Sequence, residues 1–218
     1  SLNICRVPKK TVFCYTSPVF LAELRLYTIY LILHTISMTE YLTETIVLDT
    51  EESGEYDRKV YCYTKELGKI AAKARSARKI TSKLAGHLEP LIIGHMRIIE
   101  KNGYFQIVDA LTLQKIHRSL RALTLMHVIK ELTPDSQKDV WLWNAIIASL
   151  NTLAQNRLSY KPILESLGFG TSFAECAACA KNAIQFFSKK ELVFLCKPCG
   201  KNVAANYPHE LFPDLIEI

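Results

Sequence analysis

Four cysteines stand in two pairs, Cys176-Ala-Ala-Cys179 and Cys196-Lys-Pro-Cys199, with sixteen residues between the pairs. Two C-x-x-C turns at this distance can each aim two sulfurs inward, the pattern of a closed tetrahedral zinc site with Cys176, Cys179, Cys196 and Cys199 as ligands. A redox C-x-x-C would account for one pair and leave the second idle. His209 is a spare ligand candidate that reads better as a surface residue. His87-Leu88-Glu89 is an H-x-E, which nucleobase deaminases combine with P-C-x-x-C on zinc. That chemistry needs an open fourth position for water. Here Glu175, not Pro, precedes Cys176, and a second pair stands ready to close the site. No Walker loop, G-x-G-x-x-G or G-x-S-x-G is present, so the residues point to no enzyme.

The second chemical feature is a field. Between Lys69 and Lys83 lie six bases, Lys69, Lys73, Arg75, Arg78, Lys79 and Lys83, and no acid, whereas residues 39–67 carry eight acids against three bases. Ile70 and Ala72 alternate with Lys69, Ala71, Lys73 and Arg75, the period of a half-buried strand. From Ser76 to Gly86 small and basic residues continue as an exposed loop. A cationic strand face running into a cationic loop suits a polyanion, because each neutralised phosphate releases counterions. A lysine-protected sheet edge is the plain alternative. The whole-chain charge of +6 is a poorer guide, since four bases and one acid fall in the first 37 residues.

The elements that must position these residues follow from pattern. With 218 residues and 49% hydrophobic content the chain is an ordinary globular composition. An odd count of seven cysteines, four of them paired as above, suits a reducing compartment better than a disulfide framework. Residues 1–37 read differently from the rest. The apolar run Val19 to Ile36 is about the length of a membrane span, but Glu23 and Arg25 interrupt it and leave Leu26 to Ile36, short for a span, and no small-residue cleavage site follows. Met38 stands before the first patterned strand, which predicts it as the native start and residues 1–37 as a leader or extension.

Residues 38–112 predict five strands: Thr45 to Asp49, Arg58 to Thr64, the basic strand, Leu91 to Lys101 and Tyr104 to Leu111. Asn102-Gly103 marks a hairpin between the last two. Five strands with the long gap after the third match an OB-fold barrel. An SH3-like barrel has much the same strand count, and periodicity does not separate them. Tyr61 or Tyr63 could stack a base, though packing is the better reading of each.

Residues 113–218 then predict a helical domain with the knuckle at about 173–203. Ile116, Leu120, Leu123 and His127 mark one stripe, and from Leu123 to Leu132 the helix is apolar almost all round and should be buried, stopping at Thr133-Pro134. Ser136 and Asp139 resemble a capping box before a stripe of Val140, Trp143, Ile147, Leu150 and Ala154, and Pro162 to Leu167 is a short helix. Trp141 and Trp143 could form a stacking platform, but Trp143 lies on the apolar stripe and reads better as core. The fold class expected is α+β: an N-terminal five-stranded OB-fold barrel, then a small helical domain carrying a four-cysteine zinc knuckle.

In this order the chain resembles the RecO family of bacterial recombination mediator proteins. The resemblance is carried by Thr45-Ile46-Val47-Leu48, Gly54-Glu55-Tyr56-Asp57-Arg58, Thr64-Lys65-Glu66-Leu67-Gly68-Lys69, Lys73-Ala74-Arg75-Ser76-Ala77-Arg78-Lys79 and Gly86-His87-Leu88-Glu89-Pro90, and spans about Thr39 to Cys199. It implies an OB domain that binds single- and double-stranded DNA, one structural zinc ion, and no catalysis. It also implies strand annealing, and action with RecR and the C-terminal tail of single-strand-binding protein to load RecA. Lys69, Lys73, Arg75, Arg78, Lys79 and Lys83 are the implied DNA contacts. The implied location is the bacterial cytoplasm, at the nucleoid, without membrane attachment. Two departures stand out: residues 1–37 have no counterpart, and only 19 residues follow Cys199 where relatives continue into further helix. A zinc-knuckle RNA-binding module acting around translation is the second hypothesis, separable by dependence on 2′-hydroxyls.

Overall fold

The computed structural model describes residues 38–154, 158–206 and 214–218. The apolar run at 19–36 and His209 therefore lie outside the described residues. The chain divides into two units, residues 1–39 with Lys101–Gly103, and Glu40–Glu100 with Tyr104–Ile218. In the first, Asn102 and Gly103 both have positive φ, 53° and 76°, as a two-residue hairpin turn of type I′ demands. No helix among the described residues is long and apolar enough to cross a membrane.

Five strands, β1 (Met38–Ser53), β2 (Asp57–Thr64), β3 (Gly68–Ala74), β4 (Ile92–Lys101) and β5 (Tyr104–Lys115), close into a barrel in the order β1-β2-β3-β5-β4. β3 meets β5 in parallel, with Ala72 opposite Phe105 and Ala74 opposite Ile107. This crossing identifies the OB-type Greek key and removes the SH3-like alternative. Inside the barrel pack Val47, Val60, Cys62, Ile70, Ala72, Ala74, Met96, Ile98 and Ile107, with Ala77 and Leu88 of the β3–β4 connection among them. Burial pushes the Cys62 thiol up to about 12, so it behaves as a small inert hydrophobe.

A helical module follows: α1 (Leu120–Leu132), α2 (Val140–Ala154) and α3 (Lys161–Ser166). A second, smaller sheet comprises β6 (Ile184–Ser188), β7 (Val193–Cys196) and β8 (Leu215–Glu217) in the order β7-β6-β8, with α4 (Lys197–Asn206) after β7. Barrel and helices share one core. Ile46, Leu48 and Tyr63 from the outer side of the barrel join Leu125, Ile129, Leu142, Trp143 and Ile146, and Phe187 and Ile216 of the small sheet reach the same cluster. β1 is therefore buried on both faces from Thr45 to Leu48, with Val47 inside the barrel and Ile46 against the helices.

Several local expectations change. β5 continues to Lys115, four residues past the predicted end, so helix begins only at Leu120. Its N-cap is Ser119, whose hydroxyl accepts from the Ala122 amide at 3.2 Å. The face it buries is Ala122, Leu125, Met126 and Ile129, not the stripe through Leu120, which is exposed. The predicted stripe followed the first apolar residues after the strand, but the sharing of a core with the barrel selects the neighbouring face. Asp139, rather than Ser136, caps α2: its carboxylate accepts from the Leu142 amide at 2.9 Å. Val140 is exposed, while Trp143 is buried and Trp141 is not.

Candidate nucleic-acid interface and metal centre

β3 alternates as its residues require, with Ile70, Ala72 and Ala74 inside and Lys69, Ala71 and Lys73 outside. The outer face is not uniform. At its start the α1–α2 loop docks on the strand: the Ser136 amide donates to the Lys69 carbonyl at 2.7 Å, and Asp135 bridges to Lys69 in parallel. Gly68 makes this approach possible, with φ of 69° and the Gln137 carbonyl oxygen 1.9 Å from where a Cβ would sit. The Lys69 side chain is 13% exposed and is held by the Lys130 carbonyl at 2.8 Å and the Asp135 carboxylate at 3.1 Å. Of the six bases singled out in the sequence, Lys69 is thus turned into the contact with the helices.

The expectation for the β2 tyrosines also resolves. Tyr63 is buried and stacks on Trp143, ring centroids 6.3 Å apart and planes 17° apart. Tyr61 donates to Glu51 at 2.9 Å, with the Lys130 and Lys59 ammonium groups at 3.9 and 4.7 Å from its ring centroid. Tyr63 offers no open face to a base, and Tyr61 already carries two ammonium groups over its ring. Lys130 also pairs with Asp49 at 2.7 Å, tying the end of α1 to β1.

Beyond this covered end the outer side of β2 and β3 carries further bases, interleaved with acids of β1 and the β1–β2 turn. Lys59 of β2 lies directly across from Lys73 of β3. The sequence reading missed Lys59, because only the strand register sets it beside Lys73. Past Ala74 the chain turns through Arg75, Lys79 and Lys83, all exposed. Lys73 pairs with Asp57 at 2.9 Å, and Lys79 lies 5.2 Å from the Tyr56 ring centroid. Arg78 braces the loop: it pairs with Glu52 at 2.9 Å and donates to the Gly54 and Glu55 carbonyls at 3.4 and 3.2 Å. Ser76, at a φ of 52°, is pinned by its amide to Asp57 at 2.8 Å. That amide, with Lys73, holds the Asp57 carboxyl below its ordinary value. The H-x-E residues have structural partners here. His87 Nδ1 accepts from the Thr112 amide at 3.2 Å, and Glu89 pairs with Arg58 at 2.6 Å.

The cysteines meet as their spacing requires. The sulfurs of Cys176, Cys179, Cys196 and Cys199 all lie within 4.8 Å of one another, with Cys179 and Cys196 at 3.6 Å. Sulfurs bound tetrahedrally at about 2.3 Å from a zinc ion lie about 3.8 Å apart, so the set fits a metal with little adjustment. The first pair sits on a tight turn in which the Cys179 and Ala180 amides both donate to the Cys176 carbonyl. Cys196 ends β7, and Cys199 lies in the first turn of α4, where Pro198 costs no helical hydrogen bond. Gly200 admits the Phe186 ring, whose Cδ2 would lie 2.4 Å from an added Cβ. The Cys196 amide, helped by those of Ala178 and Cys179, brings the Cys176 thiol down to about 6. The neighbouring sulfurs, Cys196 first, push Cys199 up to about 12. One thiolate thus opposes the next, a conflict that a divalent cation at the centre removes. The buried residues of the knuckle's own core are only Cys176, Leu195 and Cys196, so the apolar contribution there is small.

A closed OB-type barrel with a basic loop, sharing its core with a helical module that is followed by a cluster of four thiols able to hold a metal ion, defines the class of this protein. The family described as Recombination protein O N terminal matches residues 38–116. The chain is 30% identical over 182 residues to the DNA repair protein RecO of a Nocardioides species, an alignment covering 73% of this chain and 74% of that protein. With the DNA repair protein RecO of Dehalococcoides mccartyi it shares 28% over 177 residues, covering 73% and 70%. For that of a Thermoanaerobacter species the figures are 25% over 186 residues, 78% and 72%. The chain belongs to the RecO family.

Proposed function

We propose that this chain is a DNA repair and recombination mediator that binds single- and double-stranded DNA and anneals complementary strands. In this reading it acts with RecR, and through the tail of single-strand-binding protein, to help load RecA. The observation that supports the reading best is the set of exposed bases Lys59, Lys73, Arg75, Lys79 and Lys83, the first two side by side across β2 and β3, on a barrel of the RecO family. Phosphate neutralisation there needs no catalytic group. Lys69 and Arg78 act in this scheme from within, one securing β3 to the helices and the other bracing the loop. The ion held by Cys176, Cys179, Cys196 and Cys199 is zinc in a structural role, since four thiolates leave it no open position. We place the DNA-binding module at about residues 38–112 and the helical and zinc-bearing part at 113–218, in the cytoplasm.

The deciding experiment compares wild type with the Arg75→Glu, Lys79→Glu, Lys83→Glu triple variant in fluorescence anisotropy and strand annealing. The expected result is a loss of affinity of at least tenfold and a loss of annealing. Unchanged affinity and annealing would remove this reading. An RNA strand of the same sequence, run in parallel, tests the RNA alternative, and capture of RecR and of tailed but not tail-deleted single-strand-binding protein tests the partners.

A further inference from the structure

We infer that Ile80 is an apolar wedge that enters the base stack of DNA held by the cations around it, an inference that rests on the DNA-binding reading above. Ile80 is 105% exposed in the β3–β4 connection, so its side chain touches essentially nothing. Single exposed apolar residues are ordinary on protein surfaces and carry no meaning by themselves. The surroundings of this one carry the argument. Isoleucine is among the residues most often buried, yet here it is fully exposed and stands in sequence between Lys79 and Lys83, in a stretch without acids. A polyanion drawn to Arg75, Lys79 and Lys83 brings its own apolar interior with it, the stack of bases. Isoleucine is among the side chains that DNA-bending proteins insert between base steps.

The loop is also ordered in advance, which lowers the entropy lost on insertion. Ala77 is buried in the barrel core. The Arg78 amide donates to the Tyr56 carbonyl at 2.9 Å, fastening this loop to the β1–β2 turn. On either side of Ile80, the Lys79 amide donates to the Ser76 carbonyl at 3.2 Å and the Ser82 amide to the Lys79 carbonyl at 2.9 Å. Unpaired or gap-edge DNA is the favoured occupant, because separating two stacked bases costs least where they are not already paired.

The test uses the full chain and single-stranded oligonucleotides carrying 2-aminopurine, whose emission is quenched while it is stacked. Wild type should raise emission severalfold at one or a few positions. Ile80→Ala should abolish that rise and weaken binding about tenfold with the salt dependence unchanged, since an apolar contact releases no counterions. Ile80→Leu should restore both. If Ile80→Ala binds and unstacks as wild type does, the wedge is overturned and the DNA reading stands. An Ile80→Ala defect accompanied by a shallower salt dependence also overturns it, because the residue would then act by placing the cations. If wild type shows no salt-dependent DNA binding, both readings fall together.

Discussion

Replacing Lys69 and Arg75 separately by Ala should have opposite consequences, although both are cationic residues of one short stretch. In the DNA-binding reading the exposed Lys59, Lys73, Arg75, Lys79 and Lys83 meet phosphates, Lys73 exchanging Asp57 for one, whereas Lys69 is 13% exposed and bonded to the Lys130 carbonyl and Asp135. Five phosphate contacts on a single strand imply a slope of log affinity against log salt of about −3.5, from roughly −0.7 per contact. Between 50 and 200 mM salt the affinity should then fall by about a hundredfold. Arg75→Ala should bring the slope to about −2.8 and leave thermal stability unchanged, because the side chain is exposed. Lys69→Ala should leave the slope near −3.5 and destabilise the fold by about 1.5–3 kcal/mol, the range for a hydrogen bond from a charged group. Anisotropy titrations at four salt concentrations, with urea melts of the same preparations, measure both quantities. A Lys69→Ala slope shifted as far as that of Arg75→Ala, with no loss of stability, would refute the assignment of Lys69 to the barrel–helix contact.

Three further outcomes follow from other parts of the molecule. Cys179→Ser or Cys196→Ser should abolish the one zinc per chain expected in metal analysis of protein prepared without chelator, and should expose 173–203 to proteolysis while the barrel stays folded. Gly68→Ala should destabilise by several kcal/mol in a chemical melt, because the added methyl must occupy the space of the Gln137 carbonyl at a positive φ. The lowered carboxyl of Asp57 stabilises the folded state above the ordinary value of 3.8, and that contribution disappears as pH falls through the lower folded value. Urea midpoints of Asp57→Asn should therefore lie below those of wild type at pH 6 and converge with them at about pH 2.

Much of this protein was legible in local pattern. A C-x-x-C turn brings its own two sulfurs together, so the cluster needed only two such turns, and the sequence alone pointed to all four cysteines that meet there. Asn102-Gly103 announced its hairpin because two successive positive φ values suit few other residue pairs. Alternation in β3 separated inward from outward residues correctly.

What pattern did not carry was the partner of each outward face. A strand period distinguishes two sides and is silent on which side meets water, another element or a ligand. Lys69 and Lys73 share one side of β3, yet the first lies under the α1–α2 loop and the second beside Lys59. Tyr61 and Tyr63 point outward from the barrel and still have partners there, because Lys130 and Trp143 reach them from residues far along the chain. For the same reason the stripe of α1 through Leu120 is not the buried one, while the burial expected within 123–132 is present: the helix's apolar residues run almost all round, and only the shared core selects Ala122, Leu125, Met126 and Ile129. The sequence by itself determined the turns, the clustered cysteines and the sign of the surface charge, all set within a few residues. The tertiary structure decided which charges remain available, because availability depends on contacts between segments distant in sequence.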